Sequence, residues 1–131
     1  MLKKLINLIK EWGLVLIGFI LLIFLVYFIV DKIVMDTFYR RYTIGKPIKV
    51  YNYSPGLKGI NYKFQYKGNE YIGDKFYQGC DTSKFYIVRF SYLNPEVNLL
   101  LQNKLIPDSV KVAPYEGWSA IPNWVIEAPV K

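Results

Sequence analysis

The sequence predicts a membrane-anchored, mainly β protein: a single N-terminal transmembrane helix followed by a small antiparallel β-barrel or curved sheet of about five strands. Three observations predict it. Residues 13–30 form an apolar run with no charged side chain. From Tyr42 onward the hydrophobic period changes from 3.6 to 2, and the strand-like runs follow one another through short turns with no helical pattern between them. At 131 residues the chain has room for one modest domain and an appendage.

The anchor is the best-bounded element. Its 18 residues, Gly13 to Val30, rise about 27 Å as a helix, close to the thickness of a hydrocarbon core. Only a helix satisfies such a backbone in lipid. Trp12 and Tyr27 are placed as interfacial anchors, with Lys10–Glu11 and Asp31–Lys32 as charged flanks. The exit, Phe28-Ile-Val-Asp-Lys-Ile-Val-Met35, offers no small residue for cleavage, and no cysteine near the span could take a lipid, so an uncleaved signal-anchor is expected. The basic segment 1–12 places Leu2, Leu5, Ile6 and Ile9 at helical spacing, either as the first turns of the anchor or as an interfacial helix. Lys3, Lys4 and Lys10 before the span are nearly balanced by Lys32, Arg40 and Arg41 after it. A lysine-flanked first segment favours a cytoplasmic N-terminus, with the following β domain translocated to the other side of the membrane. Segment 31–42 is expected as a juxtamembrane helical extension, with Lys32, Arg40 and Arg41 at the headgroups.

The domain at 43–113 reads as strands. Ile60, Tyr62, Phe64 and Tyr66 alternate with Asn61, Lys63, Gln65 and Lys67, and Lys67-Gly-Asn-Glu70 is a turn composition. Tyr71–Tyr77 then continues as a partner strand, so 60–77 is a β-hairpin. Lys84–Tyr92 is apolar on both faces, as a central strand would be. In Thr43–Tyr53, Pro47 marks an edge or a bulge. Val97–Leu101 and Ser109–Val112 are candidates for two short additional strands, with a helical turn at 95–103 as the alternative for the first. The tail 114–131, rich in proline and tryptophan, is expected to run extended along a surface without joining a regular element.

Several of these segments, among them Tyr62-x-Phe64-x-Tyr66-x-Gly68, Glu70-Tyr71-x-Gly73, Phe85-Tyr-Ile-Val-Arg-Phe-Ser91, Ile106-Pro-Asp108 and Gly117-Trp118, together resemble a group of small, largely uncharacterised bacterial membrane-anchored proteins. In that group one or two spans carry a compact β domain. The resemblance implies fold and membrane attachment, the membrane being the bacterial inner (cell) membrane with the β domain periplasmic or extracytoplasmic, and it carries over no catalytic or binding residue.

Composition removes most chemistries. With no histidine and one cysteine, Cys80, the chain has no histidine-based acid–base or nucleophile machinery, no internal disulfide and no multi-cysteine metal site. Glu70 and Asp74 would share a strand face about 13 Å apart, beyond the separation used by paired-acid glycoside hydrolysis. Gly56-Leu-Lys-Gly59 lies between strands and lacks the Gly-Lys-Ser/Thr ending of a phosphate loop. Cys80 reads as a solvent-near thiol at a turn, with Lys75 or Lys84 near enough to lower its pKa. Neither an enzyme, a metal nor a cofactor is expected. Nucleic acid is not expected either, because the alternation over Tyr62–Lys67 sends aromatics and lysines to opposite faces.

The expected partners are the lipid bilayer and another membrane protein. The expected function is a non-enzymatic single-pass protein whose β domain is an interaction or scaffolding module, an accessory subunit of a membrane complex. The alternative is an envelope ligand-recognition or toxin-immunity module. Trp118 and Trp124 are candidate partner contacts, unless they fold back to cover an open barrel edge. Beyond residue 30 the chain still carries 14 Lys/Arg against nine acids, so basicity is a property of the β domain and not of the anchor.

Overall fold

A computed structural model describes residues 1–129. The chain divides into two compact units, residues 1–34 and the part from Met35 onward. Helix α1 (Leu2–Thr37) runs for 36 residues, about 54 Å, with no buried side chain, and is long and apolar enough to cross a membrane. It contains the expected span and begins well before it, so Leu2, Leu5, Ile6 and Ile9 are the first turns of the same helix. It stops earlier than the expected 31–42 extension. Arg40, Arg41 and Tyr42 are already strand, because Tyr42 is buried in the second unit and Arg40–Gly45 pair along a neighbouring strand.

Six strands follow: β1 (Arg40–Ser54), β2 (Leu57–Tyr66), β3 (Asn69–Phe76), β4 (Tyr86–Ser91), β5 (Asn98–Leu105) and β6 (Ile126–Glu127). They form one open sheet in the order β3-β2-β1-β4-β5-β6, each neighbouring pair antiparallel. The architecture is the expected helix plus small curved sheet, with one short strand added. Turn chemistry explains the hairpins. Lys67 and Gly68 both have positive φ (51° and 78°), the requirement of a two-residue type I′ turn. Pro55–Gly56, with Gly56 at φ 80°, makes the tight β1–β2 turn.

β1 is the shared strand. Its first half pairs with β4 and its second half with β2. Pro47 marks both a local edge and a bulge: the β4 ladder ends at Gly45, so at Pro47 β1 pairs with β2 alone, and the β2 register slips between Pro47 and Lys49. β4 is central, as its two apolar faces predict. Of the expected strand Val97–Leu101, all but Val97 belongs to one longer strand, β5, so the helical alternative at 95–103 does not form. Ser109–Val112 is not a strand.

The concave face holds the main core, Ile60, Tyr62, Phe64, Tyr66, Tyr86, Val88, Phe90 and Leu100. Phe90 lies 4.8 Å from the Tyr66 ring and 5.5 Å from Phe64, in tilted contacts. The sheet curls until β5, which shares no ladder with β2 or β3, is tied to both by side chains. Tyr62 Oη donates to Asn98 Oδ1 at 2.5 Å. Gln102 Nε2 donates to the Phe76 carbonyl at 2.8 Å, and its Oε1 accepts from the Gln78 N–H at 2.8 Å. Gln102 is buried, so Gln102→Ala removes two hydrogen bonds to the backbone at Phe76 and Gln78 and is expected to cost about 1–3 kcal/mol, read by denaturant unfolding together with faster exchange of the Gln78 amide.

The tail departs from expectation. It covers the convex face, where Tyr42, Ile87 and Ile106 pack with Ile44, Leu101, Trp118 and Trp124. Tyr42 and Trp118 exchange backbone hydrogen bonds of 2.9 and 2.7 Å, and Ile126–Glu127 pair with Leu105 and Lys104 as β6. The tail thus joins the sheet, because the apolar convex face of β1, β4 and β5 needs a cover. Residues 130–131 of the expected tail lie outside the described residues.

Candidate functional site

The predicted anchor residues sit as follows. Trp12 and Tyr27 are exposed on α1, and Lys32 Nζ lies 5.0 Å over the Phe28 ring. Arg40 and Arg41 have partners within the sheet unit: Arg40 Nε donates to the Thr37 carbonyl at 3.0 Å, and the Arg41 guanidinium lies 5.6 Å from the Tyr92 ring centroid. Arg89 is spoken for by Asp36, through two hydrogen bonds of 3.0 Å.

Trp118 and Trp124 meet edge-to-face at 5.4 Å and are half-buried against the convex core. Their rings cover a sheet face, and the Trp118 backbone bridges Tyr42 along the edge of β1 that β2 leaves unpaired, so the tail covers an edge as well. In a Trp12→Phe background their emission is expected to be blue-shifted and only partly quenched by acrylamide; complete quenching would contradict this packing.

Cys80 is corrected. It is buried in the main core at 6% exposure, and burial pushes its thiol pKa up, the opposite of activation by a lysine. The loop around it is tied down. Tyr77 Oη donates to the Cys80 carbonyl at 3.0 Å, and Asp81 accepts from Ser83 Oγ and N–H at 2.6 and 2.9 Å, bonds that hold its carboxyl below the usual range. Glu70 and Asp74 stand in different surroundings, described below, and form no acid pair. Among the described residues no group of three or more His, Cys, Asp or Glu could hold a metal ion.

What the sequence reading missed is the outer surface of β1–β3. Lysines and aromatics do take opposite faces of β2. The slip after Pro47, however, shifts the phase of β1, so Lys46 stands opposite Lys63, and Tyr51 stands opposite Gly59 on the same face. β3 places Ile72 beside Lys63, Asp74 beside Asn61, and Phe76 beside Gly59. One surface therefore carries a basic end and an aromatic end.

At the basic end a groove of about 550 Å³ is lined by Lys46, Lys63, Lys67, Lys111, Glu70 and Tyr115, among others. Its far wall is the tail, held in place by the Lys67 N–H donating to the Tyr115 carbonyl at 3.0 Å. At the aromatic end Tyr51 Oη donates to Asp74 Oδ1 at 2.5 Å, and that bond raises the Tyr51 pKa. The Tyr51 ring lies over Gly59, where a Cβ would collide with it. Tyr53 and Phe76 meet edge-to-face at 6.0 Å, and both, with Ile72, are exposed. A hollow of about 230 Å³ lies between Tyr51, Tyr53, Asp74 and Phe76.

The chain matches no known protein family, no curated protein and no solved structure. The likeness of its short glycine and proline motifs to membrane-anchored β proteins thus rests on those residues alone.

Proposed function

We propose that the protein is a non-enzymatic, single-pass membrane protein whose β domain is an interaction module, an accessory subunit of a membrane complex. In this reading α1 is the uncleaved signal-anchor in a bacterial cell membrane, with a cytoplasmic N-terminus and an extracytoplasmic sheet. The observation that carries it is the aromatic end of the outer face. Tyr53, Ile72 and Phe76 are apolar and exposed, and no described part of the chain covers them, whereas the equivalent apolar surface over β1, β4 and β5 is covered by the tail. Asp74 among them selects the occupant: a protein surface with an apolar centre and a cation or hydroxyl to meet the carboxylate, in keeping with the aromatic composition of interface centres.

A photo-crosslinking residue at position 76, in the full chain in its own membrane, is expected to trap one membrane protein. Asp74→Lys should abolish that product, while the same probe at Asn123 traps nothing. Products at both positions, or none at 76, overturn the proposal. Reporter domains active on one side of the membrane, fused to the C-terminus, test the orientation; activity in the cytoplasm overturns it. The basic groove favours a second reading, an envelope ligand-recognition or toxin-immunity module.

A further inference from the structure

We infer that Lys46, Lys63, Lys67 and Lys111 form a binding groove for a phosphate-bearing anion, supplied either by an anionic lipid headgroup or by a soluble phosphate compound. This inference is independent of the partner surface at Phe76, which lies at the other end of the face.

Three features converge on it. Four ammonium groups come from separate parts of the chain: β1, β2, the hairpin turn and the tail. Lys46 and Lys63 are direct cross-strand partners, an arrangement that destabilises an unliganded sheet, and an anion between them reverses the sign of that contribution. Neither of the ion pairs among the described residues, Asp36–Arg89 and Lys104–Glu127, involves a groove lysine. Lys67 Nζ lies 5.5 Å from the Tyr66 ring centroid, and the groove the four lysines line has Glu70 as its one carboxylate.

The chemistry of the cations suits the ligand. All four are lysines, compact ammonium charges with three rotatable donors each, which meet a phosphate as point charges without the bidentate fork of arginine. The tail wall supplies Val112, Ala113 and Pro114, an apolar lining for the ester or alkyl part next to a phosphate, and it reduces the solvent screening of the charges.

The test uses the full chain in nanodiscs of zwitterionic lipid at about 0.15 M salt, where long-range surface attraction is largely screened. The probe is fluorescently labelled inorganic polyphosphate, read by anisotropy. Lys46→Ala/Lys63→Ala is expected to weaken binding by about tenfold, since each solvent-exposed charge contact is worth about threefold and two are removed. Lys58→Ala/Lys75→Ala removes the same charge outside the groove and should leave binding within about twofold. Lys111→Glu, in the irregular tail, gives the same loss as the groove pair without altering a strand. Displacement by short-chain phosphatidylglycerol at lower concentration than pyrophosphate assigns the lipid headgroup, and the reverse order assigns a soluble phosphate. Equal losses in the groove and control pairs, displacement by neither competitor, or tighter binding of single-stranded DNA of equal charge overturns the inference. Crosslinking at position 76 is unaffected by the groove variants, so either proposal can fail without the other.

Discussion

Phe90→Ala is expected to remove about 3–5 kcal/mol from the stability of the β domain. Phe90 is 1% exposed in β4, the strand with both faces covered, and its ring joins three parts of the fold. It packs on Phe64 and Tyr66 from β2, and its edge lies against Gly117 of the tail. No neighbour can collapse into the space, because Val88 and Leu100 are committed to the same core. Small domains are stable by about 5–15 kcal/mol in total, so the loss is a large share of what holds the sheet. Urea unfolding of the full chain in micelles, followed by near-ultraviolet circular dichroism, measures it. Ile72→Ala, on the exposed face, serves as the control and should change stability by no more than about 0.5 kcal/mol. A Phe90→Ala loss below about 1 kcal/mol would contradict the packing described.

The second large effect is alkaline unfolding. Tyr62 is fully buried, and burial is the main cause that raises its pKa above the ordinary tyrosine value of about 10. Burial also raises Tyr86. The sign follows from the neutral form being the one that folds: Tyr62 Oη must keep its proton to donate to Asn98. Below about pH 10 the phenol is neutral in both states and its contribution is fully present. Above that the unfolded chain ionises while the folded one does not, so stability falls with pH by up to about 1.4 kcal/mol per pH unit for this group. Cooperative unfolding above about pH 10, accompanied by the absorbance change of tyrosine ionisation, is the expected result. Tyr62→Phe lowers stability at neutral pH through the lost Asn98 bond and flattens the alkaline limb. An unchanged alkaline limb in that variant would show that Tyr62 is not the titrating group.

Much of the fold is legible in the residues, and the illegible parts have physical reasons. Ile60, Tyr62, Phe64 and Tyr66 alternate without interruption, and all four are core. The Lys67–Gly68 turn announces its hairpin through Gly68, which takes positive φ freely, whereas Lys67 at φ 51° is not a residue type that signals such a turn. Pro47 carries a signal with two meanings, and both hold, because β4 leaves β1 at Gly45 and the β2 register slips beside the proline. β6 is two residues long and has no period to detect. Cys80 lies in a polar stretch whose composition says nothing of the core beneath it. The outer face was hidden for the same reason as the bulge. A one-residue slip moves every later side chain across the sheet, which brings Tyr51 to the lysine side. Lys111 belongs to the groove only because the tail folds back, a long-range contact that no local pattern encodes.

The division of β1 between two partners also sets an order of assembly. Its second half meets β2 across the Pro55–Gly56 turn, and β2 meets β3 across Lys67–Gly68, so this meander closes through short loops as soon as residue 76 is available. Its first half waits for β4, and the Tyr42–Trp118 bridge waits for nearly the whole chain. Loop-closure entropy grows with the separation, so the meander is the early nucleus and the tail the last piece to dock. On opening, the same hierarchy runs backwards: Trp118 and β6 release first, and the amides of β2 exchange slowest of all.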